Sequence, residues 1–300
     1  NTTGTQNTSV GSLSLDANTT ASNNVAVGYD CLGLNTTGSE NVAVGREAGQ
    51  NNTTGYSNIF IGEKAGESNT TGYKNTVVGR LALNTNTTGA QNTALGYEAL
   101  RNNTTADSNT AVGYSAMLAN TTGTFNTAVG HEALYSNTGS NNTSLGYLAG
   151  RANTTGENNV YVGKFSGRSG TTGSGNVGVG NETFEASNTG SNNVAVGLQA
   201  LTANTSGYEN VAVGAGALVV NTTGFRNTAV GRQALDANTT GNSNVAVGYN
   251  ALSNHTQNNN IAIGYDAMKS STTGGQNTVV GDAAMRDGSG YIHCVAVGAE

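Results

Sequence analysis

Asn35 to Asn51 reads NTTGSENVAVGREAGQN, Asn52 to Ser68 reads NTTGYSNIFIGEKAGES, and Asn238 to Asn254 reads NTTGNSNVAVGYNALSN. These segments are copies of one 17-residue repeat that fills the chain. The glycine after the apolar triplet marks each copy, from Gly11 and Gly28 through to Gly281 and Gly298, and 18 such markers occur. Only the steps from Gly130 to Gly146 and from Gly248 to Gly264 depart from the period, each by one missing residue. A period this short and regular predicts stacked coils of one superstructure, not a globular fold.

Numbering each repeat from the Asn of NTTG places the marker glycine at position 11. Position 10 is Val, Ile or Leu in all 18 repeats, position 8 is Val, Ile or Thr in all 18, and position 9 between them is mostly Ala. Alternation of β-branched and small residues predicts a strand. NTTG and the marker glycine are turn chemistry, because Asn and Gly accept positive φ at low cost. A second apolar pair at positions 14 and 15, as in Ala99-Leu100 and Ala251-Leu252, is expected to form a second short strand, with one helical turn as the alternative. The expected fold is all-β: a parallel β-solenoid (β-roll) of about 18 coils of 17 residues. Residues 1–300 form one continuous array. It begins at the start of a repeat and stops at Glu300 inside one, which reads as a section of a longer fibre.

Position 7 is Asn in 17 of 18 repeats. The column comprises Asn7, Asn24, Asn41, Asn58, Asn75, Asn92, Asn109, Asn126, Asn142, Asn159, Asn176, Asn193, Asn210, Asn227, Asn244, Asn260 and Asn277, with Cys294 as the exception. A carboxamide both donates and accepts, so stacked copies can satisfy one another and the turn backbone. This column is expected to be a structural ladder. The Asn of NTTG is read as an ordinary turn residue.

Exchanges of volume indicate which side is inside. Phe60 places an aromatic ring at position 9, and position 15 is glycine in its own repeat (Gly66) and the preceding one (Gly49). Tyr161 goes with Gly167 and Gly150 in the same way, while Gly178 at position 9 goes with Phe184 at position 15. Misfits in a close-packed interior cost ~1–5 kcal/mol. Positions 9 and 15 are therefore expected to share one interior space with positions 8 and 10 outward, and the opposite assignment, 8 and 10 inside and 9 and 15 between chains, also calls for further copies. An outward row of Val, Ile and Leu needs cover, and further copies of the same chain supply it.

Composition narrows the functions. The net charge of −6 is thinly spread, which argues against nucleic acid. No apolar run is long enough to span a membrane. Cys31 and Cys294 lie about 16 coils, roughly 75 Å, apart at ~4.8 Å per coil, so no disulfide joins them within a chain. His131, His255 and His293 read as solvated loop residues without a convergent nucleophile or carboxylate, and no catalytic, cofactor-binding or metal-binding set is discerned. NTT triplets at Asn1, Asn18, Asn35, Asn52, Asn69 and Asn86 match the N-glycosylation pattern, and the favoured reading is ordinary turn chemistry.

Position 12 is often aromatic or basic, and Tyr29, Tyr97, Tyr114, Tyr147, Tyr249 and Tyr265 are candidate surface contacts, for a glycan or matrix on a host surface. The plainer reading is that these rings cover the edges of neighbouring turns.

The VAVG of Val25–Gly28 and Val42–Gly45 and the IAIG of Ile261–Gly264 resemble the repeats of trimeric autotransporter adhesin heads. The longer pattern in Asn86–Leu100 and Asn120–Leu134 is similar to repeats of bacteriophage tail fibres. The resemblance implies a left-handed parallel β-roll, three chains around one axis, an extracellular, cell-surface or virion location, and a role in reach and attachment. The expected function is a stalk or head segment of an adhesive fibre, not an enzyme. The alternatives are a glycan- or matrix-binding segment using its aromatic columns and, more remotely, an ice-binding surface. Adjacent threonines such as Thr36 and Thr37 diverge where an ice face needs them parallel.

Overall fold

The computed structural model describes residues 1–288 and 290–299. Among them every regular element is a three-residue β-strand, and each strand falls on positions 8–10 of a repeat. The chain divides into two compact units, Asn1–Leu148 and Ala149–Glu300. The first carries β1 (Thr8–Val10) to β9 (Thr143–Leu145) and the second β10 (Val160–Val162) to β18 (Val295–Val297).

Within each unit successive strands pair in parallel and each position meets its own counterpart. Thr93, Ala94 and Leu95 pair with Thr110, Ala111 and Val112 in the first. Val194, Ala195 and Val196 pair with Val211, Ala212 and Val213 in the second. A slip of one residue would turn every position-9 side chain outward, so the apolar alternation fixes the register. Each unit is an all-β parallel solenoid.

The core is narrow and built from positions 9, 14 and 15. Ala94, Ala99 and Leu100 are fully buried in the first unit, as are Ala212, Ala217 and Leu218 in the second. The large residues sit where the volume exchange places them. Phe60 is fully buried, and a Cβ added to Gly49 would lie 2.6 Å from its ring, with Gly66 crowded by the same ring. Tyr161 is buried against Gly167, whose added Cβ would lie 2.7 Å from the ring carbon Cγ. Phe184 approaches the space beside Gly178 to 3.1 Å, and the Ser166 and Thr183 hydroxyls, 2.6 Å apart, lie against the same glycine. Side chains from neighbouring coils therefore fill one shared layer.

The expected second strand does not form. Positions 12 to 17 run instead through consecutive tight turns, seen where Ala99 N–H donates to Gly96 C=O (3.3 Å) and Arg101 N–H to Glu98 C=O (3.3 Å). Glu98 and Leu100, the third residues of these turns, have φ of 54° and 51°. The apolar pair is buried as anticipated, but by a turn that points Leu inward from the left-handed region. Non-glycine residues rarely stay there, and the conformation costs on the order of 1 kcal/mol each. Stacking holds it: Leu100 N–H donates to Ala116 C=O of the next coil at 3.0 Å, and Glu98 N–H to Arg80 C=O of the previous coil at 3.1 Å.

The marker glycine has a separate cause. Gly96 has φ of 137°, and a Cβ there would lie 2.7 Å from the carbonyl carbon of Gly113. Coils stack too closely at this corner for any side chain.

Candidate functional site

Two columns of asparagine hold the strands at their spacing. At position 7, Asn92 N–H donates to Asn75 Oδ1 (2.9 Å), and Asn92 Nδ2 donates to Ala106 C=O of the following coil (2.9 Å). The second unit repeats this: Asn210 N–H donates to Asn193 Oδ1 (2.9 Å) and Asn210 Nδ2 to Gly224 C=O (2.8 Å). Each column thus ties the backbone of one coil to the coils on either side. Asn24 through Asn277 are buried, whereas Asn7 is half-buried. Cys294 keeps the backbone half of the pattern, its N–H donating to Asn277 Oδ1 at 3.0 Å.

The position-1 Asn of NTTG is more than the turn residue expected. It forms a second buried column: Asn69 Nδ2 donates to Asn52 Oδ1 (2.8 Å) and to Gly72 C=O in its own turn (3.0 Å). The neighbouring Thr adds a third strand of axial bonds, with Thr53 Oγ1 donating to Thr70 C=O at 3.0 Å. A signal was present in the sequence. Asn holds position 1 in 14 of 18 repeats, including two in which Ala21 and Ala106 replace the turn glycine.

This burial bears on the two readings of the NTT triplets, except at Asn1, which is exposed. Asn35, Asn52, Asn69 and Asn86 are fully buried with their amide nitrogens committed to hydrogen bonds. In the folded chain they are structural and inaccessible to a glycosyl transfer.

Departures from the repeat leave marks in this column. Asn120 Oδ1 and Asn238 Oδ1 are buried without a partner, and each precedes a repeat that is one residue short. Asn188 Nδ2 is likewise unpaired, and the repeat before it has Gly170 in place of Asn. In the shortened coils the position-1 side chain turns to position 7 of its own coil. Asn142 Nδ2 donates to Asn137 Oδ1 at 3.2 Å, and Asn260 Nδ2 lies 2.7 Å from His255 Nε2. His255 is therefore fully buried, not the solvated loop residue expected.

Outside, positions 8 and 10 face away from the core. Leu95 is 45 % exposed, and Ile59, Ile61, Ile261 and Ile263 are exposed on either side of buried Phe60 and Ala262. In each unit this makes an apolar row with one residue from every strand. Beside it runs the position-12 column. Tyr97, Tyr114, His131 and Tyr147 stack on one another at centroid distances of 5.3, 5.0 and 5.3 Å, and Tyr249 stacks on Tyr265 at 5.2 Å. Arg80 lies over Tyr97 at 5.7 Å, and Arg232 over Tyr249 at 5.6 Å. Tyr29, at the other end of the first unit, is exposed. Further along, Glu63 bridges Arg46 and Arg80. Stacking covers ring faces and leaves edges and hydroxyls outward.

Cys31 is a buried free thiol, and burial pushes its pKa up to about 11, so it has little thiolate character. Among the described residues no group of three His, Cys, Asp or Glu could hold a metal ion. No helix among them is long and apolar enough to cross a membrane.

These features define a class, the parallel β-solenoids built on tandem repeats. Comparison of the chain with family models, curated proteins and solved structures returns no match.

Proposed function

We propose that the chain is a structural segment, stalk or head, of an extracellular or virion adhesive fibre, and that it works as a homotrimer with its apolar rows turned to a shared axis. The single observation that carries this is the row at positions 8 and 10. Position 10 is never polar in 18 repeats, yet in one chain it faces solvent. If each coil exposes about 100 Å² there, nine coils present on the order of 900 Å², comparable with the ~800 Å² per partner of a stable interface. In-register parallel copies are the partner this surface fits, because its period is the period of the coil itself.

The chemistry of the rest agrees with a spacer. The interior repeats a few contacts many times, whereas catalysis and specific recognition need different groups brought together once. The glycan-binding alternative is weaker on geometry, since a sugar stacks on an open ring face and, Tyr29 apart, the candidate tyrosines each stack on a neighbouring ring. The ice-binding alternative is weaker too. The position-2 threonines donate their hydroxyls to the next coil, as Thr53 does to Thr70 C=O, and so lose freedom to match water.

Sedimentation equilibrium tests the assembly. The expected mass is three times the 30.1 kDa of one chain. A stable, folded species of one chain mass at micromolar concentration would overturn the reading.

A further inference from the structure

His255 is the only histidine in the asparagine column at position 1 and is fully buried. Its Nδ1 lies 3.2 Å from Ser271 C=O, and its Nε2 lies 2.7 Å from Asn260 Nδ2. The Asn260 carboxamide cannot turn over without loss. Its Oδ1 accepts from the backbone N–H of Asn277 (3.2 Å) and from Asn277 Nδ2 (3.1 Å), so its NH₂ faces the ring. Nε2 must therefore be an acceptor, and the proton sits on Nδ1, donated to Ser271. The imidazole is neutral and fits its place only when neutral.

We propose that His255 is an acid-sensitive latch in the second unit: a proton on Nε2 sets N–H against N–H at Asn260 and loosens the coils on either side. Asn260 is the point of leverage, because it carries the position-7 column through that coil, its N–H donating to Asn244 Oδ1 at 2.9 Å. The position-1 column is already short of a bond there, Asn238 Oδ1 being unpaired in the preceding coil.

No charged group acts on the ring. Its proton affinity is lowered by burial, opposed more weakly by the backbone of Ser271 and Gly274. Carboxylates of this coil and its neighbours have polar partners of their own: Asp236 with Ser253, Asp266 with Asn250 and Lys269, and Asp287 with Ser270. Because the folded-state pKa lies below the ordinary 6.5, the unfolded state binds more protons as pH falls. The stabilisation from neutral His255 is complete above about pH 6.5, declines below it, and is gone once the pH passes beneath the folded-state pKa.

Two measurements on the intact chain test the latch. In histidine-labelled wild-type protein, nitrogen NMR at pH 7.5 should show His255 as the neutral Nδ1–H tautomer, titrating below 6.5. Hydrogen exchange over residues 238–287, corrected for intrinsic rates, should rise several-fold between pH 7.5 and 5, and this rise should vanish in His255→Asn. An Nε2–H tautomer, or a titration at or above 6.5, overturns the proposal whether or not the variant folds. So does an exchange profile whose pH dependence is the same in both proteins.

Discussion

Asn92 shows what one side chain does in this fold. Its carboxamide holds Ala106 C=O through Nδ2 and Asn109 N–H through Oδ1, each at 2.9 Å and away from water. Truncation in Asn92→Ala leaves both backbone groups unpaired, at ~1–3 kcal/mol each. Urea denaturation should show a loss of about 2–5 kcal/mol, and exchange at Asn109 N–H should accelerate most. Thr88→Ala, at an exposed position of the same coil, should change stability by less than ~0.5 kcal/mol. The buried sequon side chains give a second expectation at this scale. If the chain is passed through a eukaryotic secretory route, the folded fraction should carry no N-glycan at Asn35, Asn52 or Asn69, as intact mass will show. Glycosylated molecules should be confined to a misfolded fraction, because a glycan there removes a donor from the column.

At the scale of the coil, the question is how much volume each layer must contain. Phe60 occupies space that elsewhere belongs to two leucines, as around Ala94, where Leu100 stands in the same coil and Leu83 in the preceding one. Phe60→Ala should destabilise by about 3–5 kcal/mol through the cavity left behind. Adding Gly49→Leu and Gly66→Leu should restore most of that loss. Both glycines already have φ near the 51° of Leu100, at 59° and 58°, so leucine meets no new backbone strain. Failure of the triple variant to recover, measured by thermal or urea unfolding, would show that the two positions do not share a layer. This exchange is legible in the sequence because volume is written in residue type. Backbone conformation is less so. Ala-Leu pairs look like a short strand, and nothing about leucine announces positive φ. The position-1 Asn is hidden for a related reason: Asn-Thr-Thr-Gly is common turn vocabulary, and burial of its carboxamide comes from the stacking of coils. His255 looks solvated as an isolated histidine. Counting forward seven residues from Gly248, as from Gly231 to Asn238, places it in the asparagine column, where burial is the rule.

For the molecule as a whole, the decisive fact is that the interior and the outer row make different demands. Positions 9, 14 and 15 are buried within one chain, so each unit has a core of its own. Position 10 is apolar in every coil and lies outside that core, so the association we propose should be separable from folding by substitution. Val112 and Val129 face outward from adjacent coils, while Ala111 and Ala128 beside them are fully buried. Val112→Glu with Val129→Glu places two carboxylates in the row without touching the core. In a lone chain they stay hydrated, and the cost should be under about 1 kcal/mol. In an assembly they would be buried side by side near copies of themselves, at several kcal/mol per uncompensated ion. The variant should therefore sediment at one chain mass while keeping the β circular dichroism of the wild type. Concentration adds an independent check. Copies that bind only the folded state stabilise it by mass action, so the wild-type unfolding midpoint should rise with protein concentration and that of the variant should not. If both midpoints are independent of concentration, the apolar row is not an interface and the fibre reading loses its support.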